Sequence, residues 1–235
     1  MLLSVQNLTV HYGKALAVEG VSLDVAEESI AILVGANGAG KTTILNVISG
    51  LLSPSSGEVW FQGKRIDGQQ AFVTARSGII HVPEGRRLFP ELSVIDNLRL
   101  GAEAGKGKSN VAQRLEMLFN SFPVLKSKKN QKANSLSGGQ QQILAFGRAM
   151  MAEPRLLILD EPCLGLAPIV IEELYSIIRS INESGVSILL AEQNVSLAVR
   201  LGKYGYVLEV GKVILQGHMT DLRNNEIISR AYLGE

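Results

Sequence analysis

Hydrophobic positions along this chain follow three patterns. Residues 29–35 (SIAILVG), 78–82 (GIIHV), 155–160 (RLLILD) and 186–192 (VSILLAE) are continuous apolar runs bounded by glycine, proline or charge. Runs of this length without alternation predict strands covered on both faces, as in a parallel α/β sheet. LSVQNLTVHYG and GEVWFQGKRI alternate instead, and YVLEVGKVILQG reads as a hairpin turning near Gly211. These three predict antiparallel strands at an edge. From about Leu88 to Ala152 the apolar spacing changes to three and four, in VIDNLRLGAEA, SNVAQRLEMLFNSFPVL and SGGQQQILAFGRAMMAE. That is the helical period. The Gly-Lys-rich stretch GKGKS at 105–109 separates the first two of these segments. The expectation is one domain over 1–235, with an α/β core at 1–87 and 153–235 and a helical insert at 88–152.

Two of the continuous runs end in residues that carry chemistry. AILV runs into Gly35, Ala36, Asn37, Gly38, Ala39, Gly40, Lys41, Thr42 and Thr43, followed by ILNVISG. This is G-x-x-x-x-G-K-[ST] between a strand and a helix, the context a phosphate loop requires. Gly35, Gly38 and Gly40 permit a tight turn whose backbone N–H groups converge on one anion. The helix starting near Lys41 points its positive end at the same place. Lys41 can neutralise β- and γ-phosphate charge, and Thr42 can ligate Mg2+. RLLILDEP supplies the complement: Asp160 at the strand end would hold Mg2+, directly or through water. Glu161, one residue on, is placed to polarise an attacking water as general base. A third run, SILLAEQN, ends in the polar triplet Glu192, Gln193 and Asn194.

Composition narrows the setting. Apolar residues make up 46% and charged residues 19%, and 23 basic against 22 acidic side chains leave a net charge of +1. No basic block stands out beyond Lys126 to Lys132, read as a solvated loop, so no nucleic-acid partner is expected. The single cysteine, Cys163, excludes a disulfide framework and reads as a packing residue. No His/Cys cluster suggests zinc or iron; His11 and His81 read as structural, and His218 lies late in the chain with no partner pattern. The start MLLSVQNLTV lacks signal-peptide character, and no apolar run is long enough to span a bilayer.

Leu136 to Gln142 reads LSGGQQQ. Alone, Ser-Gly-Gly ahead of an apolar-periodic helix is an N-cap with a loose turn. Together with the phosphate loop upstream and LILDEP downstream, it resembles the nucleotide-binding subunit of an ATP-binding cassette (ABC) transporter. The resemblance covers nearly the whole chain. It implies that Tyr12, in VHYGKALAV, is the aromatic that stacks on adenine. It also implies that Ser137, Gly138, Gly139 and the following Gln140 bind the γ-phosphate of ATP held by an opposite subunit. Two ATP sites would then be sandwiched between two cassettes. The segment from about Glu84 to Leu100, with Leu88, Phe89, Leu92 and Val94, would receive a helix of a membrane permease or serve as core of the insert. Arg86 and Arg87 would pair with acids on that partner or be solvated.

Three positions depart from the family pattern. Glu84 stands where a lid-loop Gln that orders Mg2+ and water is usual. Ala167 stands where the loop after the catalytic Glu usually has Asp, and Gln193 replaces the usual switch His. Glu84 keeps an oxygen but adds negative charge beside Asp160 and Glu161. Gln193 can hydrogen-bond but cannot carry charge. Glu192 is expected to face the neighbouring strand end instead of acting as a base. With VPEGR and LGLAP, these departures resemble the second, LivF-like cassette of importers for branched-chain amino acids, whose relatives include urea and amide importers. The resemblance implies two transmembrane permeases, a partner cassette that is a different chain, a solute-binding protein acting indirectly, and a place at the cytoplasmic face of the membrane. A lipid or lipopolysaccharide exporter cassette would share the chemistry. A two-cassette DNA-repair or translation protein would need a second cassette or a long coiled coil, and a GTPase would need N-K-x-D, which is absent.

Overall fold

A computed structural model describes residues 1–105 and 110–223. Residues 106–109 of the predicted Gly-Lys linker lie outside the described residues. In chain order, β1 (Leu3–Tyr12) and β2 (Ala15–Val25) precede β3 (Ile30–Gly35), which leads into α1 (Lys41–Ile48). β4 (Ser56–Phe61), β5 (Lys64–Arg65), α2 (Ala71–Ser77) and β6 (Ile79–Val82) follow. Next come α3 (Val94–Ala104), α4 (Val111–Ser121), α5 (Pro123–Ser127) and α6 (Gly138–Met150). The last described stretch holds β7 (Leu156–Asp160), α7 (Pro168–Glu183), β8 (Ser187–Glu192), α8 (Val195–Ala198), β9 (Tyr204–Glu209), β10 (Lys212–His218) and α9 (Met219–Arg223).

The strands form two sheets. The larger has the order β10-β9-β3-β8-β7-β6. Within it β6, β7, β8, β3 and β9 are all mutually parallel, and only β10 runs back. Three of the four continuous apolar runs are the inner strands β3, β7 and β8, and the fourth is the edge strand β6; burial explains their lack of alternation. Ile32, Leu157, Leu159, Ile188 and Leu190 join one core with the helices on their face. Leu33, Leu156, Ile158 and Leu189 join a second core, with α1 and the smaller sheet. Every position of β3, β7 and β8 is buried. The fold is an α/β phosphate-loop core with a mostly parallel sheet, an antiparallel sheet and a helical segment.

The alternating segments are corrected in two respects. They do not all lie at one edge: β1 is an inner strand of a separate antiparallel sheet, ordered β2-β1-β4-β5. Its neighbour β2 has no counterpart among the predicted strands. Register shifts along the β1–β2 pairing break the period of two that would reveal it. The hairpin near Gly211 does form, but its first strand β9 is inner, paired in parallel with β3. The two sheets are tied by the Tyr206 hydroxyl, which accepts from the Asp24 N–H at 2.8 Å and donates to the Asp24 carbonyl at 3.2 Å.

Capping sets where the helices begin. The Ser93 side chain accepts from the Asp96 N–H at the start of α3, and Ser137 and Gln140 form a reciprocal capping box at the start of α6. α3 and α6 cross at Gly101, where an added Cβ would overlap the Arg148 carbonyl oxygen. On an isolated helix, Gly101→Ala would stabilise by about 1 kcal/mol. Here the backbone contact reverses the sign, because the helices must separate to admit the methyl group. Gly101→Ala is expected to destabilise by about 1 to 3 kcal/mol in urea unfolding; a stabilised variant would contradict this crossing.

Candidate functional site

β3 ends where β9 runs so close that a Cβ on Gly35 would stand 2.6 Å from the Leu208 carbonyl oxygen. The loop then turns into α1 at Gly40, a left-handed residue with φ 103° that offers no side-chain cap. The first-turn N–H groups of α1 are therefore left for an anion. Lys41 turns inward and is only 4% exposed. Its ammonium donates to the Gly35 carbonyl at 2.7 Å and the Ala36 carbonyl at 3.0 Å, and pairs with Glu161 Oε1 at 3.0 Å. A buried cation needs this degree of satisfaction.

The strand beside it ends in acid. Asp160, at the end of β7, is buried, and neither carboxylate oxygen has a hydrogen-bond partner among the described residues. Burial raises its pKa; the Thr42 hydroxyl opposes this, and Glu161 and Glu84 add to it. Part of the like-charge effect expected of Glu84 thus falls on Asp160. Glu161 is held at φ 46°, a sparsely populated conformation for a residue with a side chain, with its N–H bonded to the Ala191 carbonyl at 3.0 Å.

A cavity of about 420 Å³ lies here; Lys41 and Glu161 line it, whereas Gly35, Ala36, Ala39 and Asp160 do not. Asn37, Gly38, Gly40, Lys41, Thr42 and Thr43 line it, with Glu84 and Glu161 from neighbouring strand ends. Tyr12 and Leu16 come from the β1–β2 turn, and Val210 and Gly211 from the β9–β10 turn. The Tyr12 hydroxyl lies 3.4 Å from Thr43 Oγ1. Of these, Leu16, Val210 and Gly211 carry no motif, and sequence reasoning missed them.

The other candidate residues lie elsewhere. Ser137 is exposed, and none of Ser137, Gly138, Gly139 or Gln140 lines the cavity. Gln140 instead serves the capping box, its Oε1 accepting from the Ser137 N–H at 3.2 Å. Gln193 is exposed just past β8 and does not line the cavity. Glu192 turns inward toward Cys163, beyond the end of β7, and is 5% exposed with Oε1 unpartnered. Burial, the largest effect, pushes its carboxyl up to about 7, and Glu161 adds to the shift. Burial likewise raises the Cys163 thiol and the Tyr175 hydroxyl. None of the three histidines lines the cavity.

The lid segment is held to α6. Gly85, Arg86 and Arg87 are three successive left-handed residues, at φ 77°, 63° and 46°. The Arg148 guanidinium donates to the Arg87 carbonyl at 2.7 Å and the Arg86 carbonyl at 3.0 Å. Arg86 is partly exposed and is held within the chain: it donates to Gln141 Oε1 at 2.9 Å and Gln142 Oε1 at 3.3 Å. Beyond it, Val94 is fully buried, whereas Phe89 is 50% and Leu92 37% exposed.

A strand–loop–helix phosphate cradle, with a buried acid on the neighbouring parallel strand, defines a P-loop nucleotide-binding α/β protein. A family model described as "ABC transporter" matches residues 18–164. The high-affinity branched-chain amino acid transport ATP-binding protein BraG of Pseudomonas aeruginosa is 40% identical over 99% of this chain and 100% of its own length. BraF of the same organism is 32% identical over 100% of this chain and 98% of its own. Among solved structures, the ADP conformation of MJ1267, an ATP-binding cassette of an ABC transporter, aligns with a TM-score of 0.87 at 26% identity. That alignment covers 100% of this chain and 99% of the other. The chain belongs to the ABC transporter family, as an ATP-binding and ATP-hydrolysing cassette subunit.

Glu192 gives a pH signature. Its folded pKa of about 7 lies above the ordinary 4.5. The folded state therefore favours the protonated form, and wild-type stability falls as pH rises from about 4.5 to 7, then levels off. Glu192→Gln cannot ionise and escapes this loss. Its stability relative to wild type should rise across that window by up to about 3 kcal/mol. Urea unfolding at pH 5 and pH 8 checks this; a pH-independent difference would contradict it.

Proposed function

We propose that this chain powers an importer for branched-chain amino acids. The observation that carries the solute class is the 40% identity to BraG along essentially the full length of both chains. Urea and amide importers are the second reading, on the resemblance alone. ATP is the substrate, and the cavity suits it: loop N–H groups and Lys41 for phosphate, Tyr12 for stacking on the adenine.

Mg2+ fits the acid end. Asp160 has two buried, unpartnered oxygens beside the Thr42 hydroxyl, a hard oxygen donor set. No group of three or more His, Cys, Asp or Glu converges as a ready-made cage among the described residues. That suits an ion held by one or two carboxylates together with substrate phosphates. Thr42, Asp160 and Glu84 would hold it, and when bound it neutralises charge on the phosphates.

Chemistry then falls to the chain's own side chains. Lys41 exchanges the Gly35 and Ala36 carbonyls and Glu161 for phosphate oxygens. The exchange releases Glu161 Oε1, which can then orient the attacking water and take its proton. Glu84 holds the water and metal side from the lid, and Gln193 acts as a neutral sensor at the β8 tip. Ser137, Gly138, Gly139 and Gln140, outside the cavity, close on the ATP of the opposite cassette. The strain at Glu161 supports a position fixed for function.

Family membership implies a multi-subunit transporter. The finer reading is a second, unlike cassette, two transmembrane permeases docking near Phe89 and Leu92, and a solute-binding protein that never touches this chain. No helix among the described residues is long and apolar enough to cross a membrane. We place the subunit at the cytoplasmic membrane face through its permeases, without nucleic acid.

Glu161→Gln should retain ATP while turnover falls about 10²- to 10⁴-fold; unchanged hydrolysis removes Glu161 as base. Purified with the permeases encoded beside it, the chain should show ATPase stimulated by leucine or valine with the matching binding protein. Stimulation by urea or amides instead would replace the solute class. A homodimer hydrolysing at full rate, with Gln193→His silent, would overturn the unlike partner.

A further inference from the structure

Val210 and Gly211 are the whole connection between β9 and β10, since Glu209 pairs with Lys212. Both are left-handed, at φ 44° and 77°, which makes a type I′ turn. The first position of such a turn favours Asn, Asp or Gly, and a β-branched residue is among the least suited. Val210 is also 85% exposed, so the fold gains little from its side chain. A local rule broken without packing in return points to a function.

The turn is fixed beside the phosphate loop. The Gly211 N–H donates to the Ala39 carbonyl at 3.0 Å, and the Gly211 carbonyl accepts from the Glu19 N–H at 2.9 Å. A Cβ on Gly211 would stand 2.6 Å from the Ala17 carbonyl oxygen, so this backbone contact admits glycine alone. Val210 is thereby presented at the cavity that holds Lys41 and Thr42. Three further exposed apolar side chains line the same cavity: Tyr12 at 52% and Leu16 at 49% exposure from the β1–β2 turn, and Leu164 at 51% from the loop after β7. Val210, Tyr12 and Leu16, on the two turns beside the phosphate cradle, form a surface for the flat, apolar part of a nucleotide.

We propose that Val210 is a base-packing residue, forming with Leu16 and Tyr12 the apolar wall against which the purine ring of the nucleotide rests. The proposal rests on the reading that ATP occupies this cavity with its base at Tyr12. Burial of the isopropyl group by the base would offset the backbone strain of the turn when nucleotide is bound. A turn-favoured residue would lose that contact.

The test compares ADP with inorganic pyrophosphate, which share the phosphates but not the base, by titration calorimetry on the purified chain. Val210→Asn and Val210→Gly should each weaken ADP binding about fivefold, from the lost apolar burial, and leave pyrophosphate unchanged. Val210→Asn should also raise the Tm by about 2 to 4 °C, since Asn tolerates the left-handed turn. Wild-type ADP affinity in both variants, with Tyr12→Ala weakened, would overturn the role of Val210 and leave the site reading intact. If Tyr12→Ala also binds ADP as wild type does, or wild type binds neither ligand, the site reading itself fails.

Discussion

Everything in this molecule depends on the parallel register of β6, β7, β8, β3 and β9. Parallel strands run the same way, so all five leave the sheet at one edge. Val82 aligns with Leu159, Asp160 with Ala191, Val34 with Glu192 and Gly35 with Leu208. The residues just past those positions are Glu84, Glu161, Gln193, the phosphate loop and Val210. No single segment could bring together a cradle of N–H groups, a buried acid, a second carboxylate and exposed apolar side chains. Several strand ends can: the loops after β3, β6, β7 and β9 line a common crevice, and β8 ends beside it. The interior that makes this possible is apolar on both faces, so polar chemistry is confined to where the strands stop.

That confinement has an energetic side. Lys41 is buried beside a sheet edge and is tolerated because two loop carbonyls and Glu161 surround its ammonium. Asp160 has only the Thr42 hydroxyl and the Lys41 charge to offset its desolvation, and burial raises its pKa on balance. The two buried charges are thus treated unequally by the protein: the cation is satisfied internally and the acid is left with open acceptors. An acid held this way suits a hard cation from outside far better than it suits the fold. Backbone strain has the same distribution. Glu161, Arg86, Arg87 and Val210 all carry positive φ on loops leaving the parallel edge. Each such conformation costs on the order of 1 to 3 kcal/mol and persists only where its surroundings over-determine it. The Arg148 bonds to the Arg86 and Arg87 carbonyls, and the Gly211 bonds to Ala39 and Glu19, are those surroundings.

β3, β7 and β8 were legible because full burial writes itself as an unbroken apolar run, and the cradle because its glycines and Lys41 have fixed spacing. β2 was not, since its bulged pairing with β1 disrupts the alternation. Glu192 and Gln193 could not be told apart by periodicity either. In a strand buried on both faces, parity does not distinguish inside from outside. The intrachain bonds of Arg86, read as pairing with a partner's acids or solvated, were not foreseen, because the amides of Gln141 and Gln142 that it bonds lie 55 and 56 residues away. Val210 read as an ordinary hairpin residue; only the observed φ marks it. What stayed hidden is long-range and non-periodic, the kind of contact that no local window can report.

The three departures from the family pattern divide by the same logic. Ala167 is the N-cap of α7, extended at φ −68° and ψ 149°, and makes no side-chain cap bond. An Asp at such a position would cap the helix and complement its dipole, worth about 1 kcal/mol. Pro168 at the first helical position offsets part of that loss by removing one N–H that would need a partner. The change at Ala167 therefore has an account within the helix itself. Glu84 and Gln193 have none of this kind, since both are exposed at strand ends and neither anchors a helix or fills a core. Exposed residues free of packing duties contribute little to stability. Their identities are then constrained by what approaches the strand edge from outside. For Glu84, lining the cavity, that is the contents of this chain's own crevice. For Gln193, exposed outside the lining, it extends to the surface that an opposing cassette would cover.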